Sequence, residues 1–254
     1  MSAPGAAERR GPGEIAEDEA TGRTVETYAR LRDALGTPFV PTVFRLLARH
    51  ETYLATGVDA LLARLDRDAI AELADAVRER AALAALELPG PPLDAGDDRA
   101  AVAALLRRYN VVNPRGIVLV RALRGDVARP PAAVMRAPLP RPVAATLEDV
   151  RAAHGGLTVP GMWRELAELD AGVATAAWAR IRPLAGAAAF DAARADIGER
   201  AGAAVAAVVT SDPARLGCTP EDQREIAMIL DWFVAAIPAL VVEIEVLDER
   251  LRGQ

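Results

Sequence analysis

Apolar residues recur three and four positions apart along most of this chain, and the pattern comes back a second time. Val43, Phe44, Leu47, Leu54, Val58, Leu61, Leu62 and Leu65 trace one helical face. Met162, Trp163, Leu166, Leu169, Val173, Ala177, Ile181 and Leu184 trace another. The stretches VPTVFRLLARHETYLATGVDALL, from Val40, and VPGMWRELAELDAGVATAAWARI, from Val159, align without a gap at an offset of 119 residues. Pro41/Pro160, Arg45/Arg164, Leu47/Leu166 and Thr56/Thr175 are identical, and Phe44 corresponds to Trp163. Further on, Asp98 to Val120 matches Asp222 to Ile244 at an offset of 124, pairing Tyr109 with Phe233 and Pro114 with Pro238. Self-similarity on this scale marks a repeated unit that buries its apolar face against its neighbour.

The remaining punctuation fits helices. Thr24 to Leu35 reads as a helix stopped by Gly36, and Leu147 to His154 as one stopped by Gly155. Pro41 and Pro160 stand where helices begin, at a position that tolerates a missing N–H. Asp68 to Leu86 and Phe190 to Val209 are expected as counterparts. Arg99 to Leu123 is a third long element, in which Pro114 predicts a break near Asn113; Pro238 predicts the same break in the second copy. Glu87 to Gly96 is a loop, and the five prolines between Gly125 and Thr146 mark a linker. No strand-like alternation stands out. The fold class is all-α, with a disordered tail over 1–22, helical repeats over 23–125 and 147–254, and a Pro-rich linker over 126–146, the repeats forming one compact unit.

Composition narrows the function. Apolar residues make up 52% and aromatics 4%, which suits closely packed helices. A net charge of −6 and a pI near 5.2 weigh against a nucleic-acid partner. The single cysteine, Cys218, allows no internal disulfide and suits a reducing cytoplasm. The longest apolar run, Trp232 to Val242, has 11 residues and is too short to span a bilayer, and the N-terminus lacks an apolar signal core, so no membrane association is expected. Two separated histidines make no metal cluster. One cysteine cannot serve a helical thiol peroxidase, which needs a pair. Ser2 and Ser211 are the only serines, and glycine-rich phosphate loops are absent.

The order of motifs, a VPxxFRxLA helix, then Tyr109 to Pro114 (YNVVNP) leading into an aliphatic run, then a second copy, resembles the all-helical 2-haloacid dehalogenases of the DehI type. The resemblance covers nearly the whole chain after the tail. It implies two repeats about a pseudo-two-fold axis with the active site between them. It implies a carboxylate from the second repeat that activates water, an asparagine from the first that assists, direct displacement of halide at the α-carbon, and no cofactor or metal. The partner implied is a small organic acid; a homodimer is compatible with it. Asn113 carries over as the asparagine. The acid is expected near the start of the repeated helix in the second half, where Val159 to Trp163 holds none; the candidates that follow are Glu165 and Asp170.

The duplication supplies a test of its own. A polar residue standing where the other copy has a hydrocarbon is not needed for the shared fold. Asn113 stands opposite Ile237, Asn110 opposite Val234, Glu165 opposite Leu46, His50 opposite Leu169 and Glu243 opposite Leu119. Asn113 reads either as a cap at the proline break or as the group that holds water. Glu165 reads either as a solvated helix residue or as a general base with a pKa raised by partial burial. Asp170, opposite Glu51, reads as structural or as the alternative acid. Glu243 and Glu245 read as a wet face of the last helix, and His154 as a helix end. Tyr109, Phe44, Trp163 and Met162 are core residues first and walls of a substrate pocket second. A competing reading keeps the fold without this chemistry, binding a small organic acid or catalysing another reaction. A third is a helical interaction protein with no pocket.

Overall fold

The computed structural model describes residues 13–253 apart from 89, 126–142, 207 and 209–211. Helices account for the regular structure among them, and no strand is present among the described residues. Helix α1 spans Gly22–Leu35 and buries Tyr28, Leu31 and Leu35. Gly36 stops it at φ 60°, in the left-handed region, where its N–H reaches back to the carbonyls of Arg32 and Asp33.

The repeated apolar stretch is not one helix in either half. Helix α2, Thr42–Leu47, runs into a tight turn at Ala48–His50 before α3, Glu51–Leu62. In the second half, α6 (Ala144–Ala153) leads to α7, Gly161–Leu169, and α8, Ala171–Ile181, with Asp170 extended between the last two at φ −151°. Helical apolar spacing carries across both breaks because each pair of short helices covers the same core. Pro41 and Pro160 take up φ near −59° and −56° just ahead of α2 and α7.

Helix α4, Arg67–Glu87, starts at Asp66, whose carboxylate accepts the Ala69 N–H at 2.8 Å. Its counterpart α9, Ala188–Ala204, is shorter than the spacing suggests. The longest elements are α5, Arg99–Arg124, and α10, Pro220–Arg252, which is opened by a capping box of Thr219 and Asp222. Both run unbroken through their prolines, contrary to the expected interruptions at Asn113 and near Pro238. A proline costs one hydrogen bond and local crowding. Here α5 and α10 pack along each other, and their buried faces hold both helices in line. Asn113 therefore caps nothing.

Around this central pair sit α4 and α9 on one side and the shorter helices on the others. By length and composition α10 could cross a membrane, but 72% of its most apolar window is buried inside the molecule. Residues 13–21, expected as tail, are packed instead: Glu14 and Ala16 are buried, the Ile15 N–H bonds the Arg45 carbonyl at 3.0 Å, and Tyr28 Oη donates to the Ile15 carbonyl at 2.9 Å. The rest of that tail, 1–12, and most of the linker, 126–142, lie outside the described residues. Helix α6 begins at Ala144, three residues before the expected start of the second repeat at 147.

Candidate active site

Helices α2 and α7 begin close to each other, and α7 packs on α5. A β-carbon on Gly161, the first residue of α7, would lie 2.9 Å from Tyr109 Oη and 3.6 Å from Thr42 Oγ1. Only glycine lets the α7 terminus approach so closely. Four residues on, one turn along the same face, Glu165 reaches α5. Its Oε1 accepts the Tyr109 O–H at 2.5 Å, and its Oε2 pairs with Arg108 Nη2. The Arg108 guanidinium lies 5.4 Å from the Phe39 ring centre and 5.5 Å from that of Tyr109. Burial, and then the Glu165 charge, push the Tyr109 hydroxyl well above its ordinary pKa. It stays protonated and stays a donor to Glu165.

Asn113 follows Tyr109 by four residues on α5. On a 3.6-residue helix it projects about 40° from Tyr109 and about 60° from Asn110. Asn110 Nδ2 donates to Glu245 Oε1 at 2.7 Å. The Asn113 Nδ2 is buried and has no hydrogen-bond partner among the described residues. A buried amide donor without a protein partner is open to a water or a ligand oxygen. A carboxylate offers about four acceptor positions. Two of those on Glu165 are taken, by Tyr109 and Arg108, which leaves acceptor capacity on the carboxylate.

The other expected site residues are placed as follows. Asp170 accepts the Val173 N–H at 2.7 Å and caps α8, so its carboxylate serves a helix end. Phe44, Met162 and Trp163 are fully buried in the core, and Tyr109 hydrogen-bonds Glu165.

Solved D-2-haloacid dehalogenase structures share this architecture. A mutant D-2-haloacid dehalogenase superposes with a TM-score of 0.77 at 16% identity, covering 94% of this chain and 95% of that one. A D-2-haloacid dehalogenase in complex with L-LA gives 0.78 at 16%, and a mutant with D-2-CPA gives 0.75 at 17%, with the same coverage. The chain has the fold of the D-2-haloacid dehalogenases. No protein-family model matches it, and no curated protein matches its sequence.

Within the dehalogenase fold this chain carries polar clusters that sequence reasoning missed. The largest surprise is Glu243, expected on a wet face and found 3% exposed. Its Oε2 accepts the Trp163 Nε1–H at 2.9 Å, and its Oε1 lies 3.1 Å from His154 Nε2. His154 Nδ1 meets the Val150 carbonyl at 2.7 Å. Burial opposes charging this ring, but the Glu243 charge, with hydrogen bonds to Glu243 and Val150, outweighs it and leaves the His154 pKa raised. Glu245 is buried too, and burial raises its pKa. It lines an open depression of about 460 Å³ together with Arg78, Arg107, Asn110 and Asp248. His50, the other histidine, is held 3.2 Å from Asp222 and 3.5 Å from Glu225, and burial lowers its pKa.

A second cluster joins the two half-chains. Thr42 Oγ1 accepts from Arg45 Nη2 at 3.2 Å and from Arg164 Nη2 at 2.9 Å. These arginines also meet Glu14, at 2.8 and 3.2 Å respectively. Their identity in the two copies was the one signal in the sequence that pointed here. Among the described residues no group of three or more His, Cys, Asp or Glu side chains is arranged to hold a metal ion.

Proposed function

We propose that this protein is a hydrolase that replaces halide at the α-carbon of a short 2-halo acid, with its two helical halves arranged about a pseudo-two-fold axis and the site between them. The observation that carries the reading is Glu165 of α7 meeting Tyr109 of α5 one turn before Asn113, whose buried Nδ2 has no partner among the described residues. Water held by the Asn113 amide is deprotonated by Glu165; its oxygen bonds to the α-carbon as the carbon–halogen bond breaks and halide leaves. The proton goes to Glu165. Tyr109 and Arg108 orient the carboxylate, and general-base action of this kind contributes about 10²–10⁴ in rate. The proposed setting is cytoplasmic, and the substrate is a small organic acid.

Halide release from 2-chloropropionate tests this. Wild-type protein is expected to release chloride, and Glu165→Gln, nearly isosteric, to fold and release on the order of 10²–10⁴-fold less. A folded wild-type protein that releases none from a panel of short 2-halo acids points to the second reading, an organic-acid binder without turnover. That reading draws on the absence of an acid in Val159 to Trp163 and on the engagement of both Glu165 oxygens.

A further inference from the structure

Glu14 is the most enclosed charged side chain of the N-terminal segment, 1% exposed, and it does not sit among its own neighbours. Its two oxygens face Arg45 and Arg164, which occupy the same place in the two halves of the chain, 119 residues apart. Both guanidinium groups also donate to Thr42 Oγ1, so their heads are fixed before any carboxylate arrives. The Arg45 Nε–H is buried with no acceptor among the described residues. Convergent arginines of this kind are suited to planar carboxylate recognition.

The segment that delivers Glu14 has no helix of its own. It is pinned by Ile15, as above, and by Glu17, whose Oε1 accepts the Val40 N–H at 2.7 Å and whose Oε2 pairs with Arg32. The seat is also next to the candidate active site. Thr42 Oγ1 and Tyr109 Oη both lie within 4 Å of one point, the position a β-carbon on Gly161 would take. Tyr109 Oη in turn bonds Glu165.

We propose that Arg45, Arg164 and Thr42 form a binding seat for the carboxylate of a short organic acid, and that Glu14 fills this seat from within the chain. An incoming acid replaces the Glu14 carboxylate on the two arginines. Because Glu14 is tethered, it competes at an effective concentration on the order of millimolar. External acids therefore bind weakly until Glu14 yields. This deepens the organic-acid reading by naming where the carboxylate sits, and rests on that reading only for the choice of ligand.

The test is rescue by acetate, which needs no turnover. Glu14→Ala is expected to melt below the wild type, and sodium acetate to restore several degrees that sodium chloride at equal ionic strength does not. The restoration is expected to vanish in Glu14→Ala/Arg164→Met. If Glu14→Ala does not fold, Glu14→Gln, which keeps size and an acceptor, is titrated with acetate by calorimetry. Acetate is then expected to bind at least about tenfold more tightly than to the wild type. Equal stabilisation by acetate and chloride, or equal acetate affinity in Glu14→Gln and wild type, overturns the seat. Chloride release from 2-chloropropionate reports on the reaction alone, so either idea can fail without the other.

Discussion

Replacing Glu243 by leucine puts into the second half the residue that the first half carries at Leu119, and the fold makes that exchange costly. The side chains of Glu243 and His154 are 4% and 3% exposed, so solvent does not screen them. Leucine removes the acceptor of the buried Trp163 N–H, an orphaning that costs about 1–3 kcal/mol. It also removes the counter-charge of His154. Breaking a buried pair outright costs about 3–5 kcal/mol, but a histidine escapes part of that by giving up its proton. The sum is a loss of about 2–4 kcal/mol. Glutamine behaves differently at the same position. Its carbonyl still accepts from Trp163, and its amide can donate to the Nε2 of a neutral ring whose Nδ1–H is held by the Val150 carbonyl. The expected cost is below about 1 kcal/mol. For a chain of this size 1 kcal/mol moves Tm by about 2–4 °C. Glu243→Leu should thus melt roughly 4–16 °C below the wild type, and Glu243→Gln within about 4 °C. Differential scanning calorimetry at neutral pH reads both. Two variants that melt together, or a leucine variant as stable as the wild type, would show that this cluster is not an obligatory buried pair.

With only two histidines in the chain, NMR titration should resolve both, His154 above and His50 below the ordinary 6.5. His154 stabilises the fold fully below 6.5 and loses that contribution as pH climbs through its native value; His50 opposes it, lowering stability as pH falls below 6.5. Two coincident curves near 6.5 would contradict the burial described for both rings. Gly36→Ala forces a β-carbon into the left-handed region and to 2.4 Å from Arg115 Nη1. A loss of about 1–2 kcal/mol in denaturant unfolding is expected, and no loss argues against that geometry. Gly161→Ala pushes on Tyr109 Oη from 2.9 Å and should lower halide release more than it lowers Tm, since it disturbs the Tyr109–Glu165 bond. Unchanged turnover would detach that bond from the chemistry.

The helical fold was legible because its signals are local. Gly36 as a stop, prolines 41 and 160 as starts, and three-four apolar spacing each act within a turn or two. The breaks at Ala48–His50 and Asp170 were hidden because apolar spacing runs on through them, although Asp170 carried a capping side chain in plain view. Continuity through Pro114 and Pro238 comes from packing between α5 and α10, partners separated by over a hundred residues, which no local rule contains. For the same reason the site was only partly readable. Glu165 and Tyr109 were both named from the sequence, but their bond depends on how α7 crosses α5. The burial of Glu243 depends on Trp163 and His154, which come from two other elements. Glu14 gave no signal at all, since nothing near it in the chain distinguishes it from an ordinary charged tail.

The central claim is water activated at Glu165 and delivered directly to carbon. Single-turnover conversion of 2-chloropropionate in heavy-oxygen water, with enzyme in excess over substrate, tests it most directly when the product acid is read by mass spectrometry. The account predicts one heavy oxygen in the lactate from the first turnover, none in the protein, and collapse of the rate in Glu165→Gln. Unlabelled lactate with heavy oxygen carried into a protein carboxylate would contradict it, as would a Glu165→Gln variant that turns over at the wild-type rate.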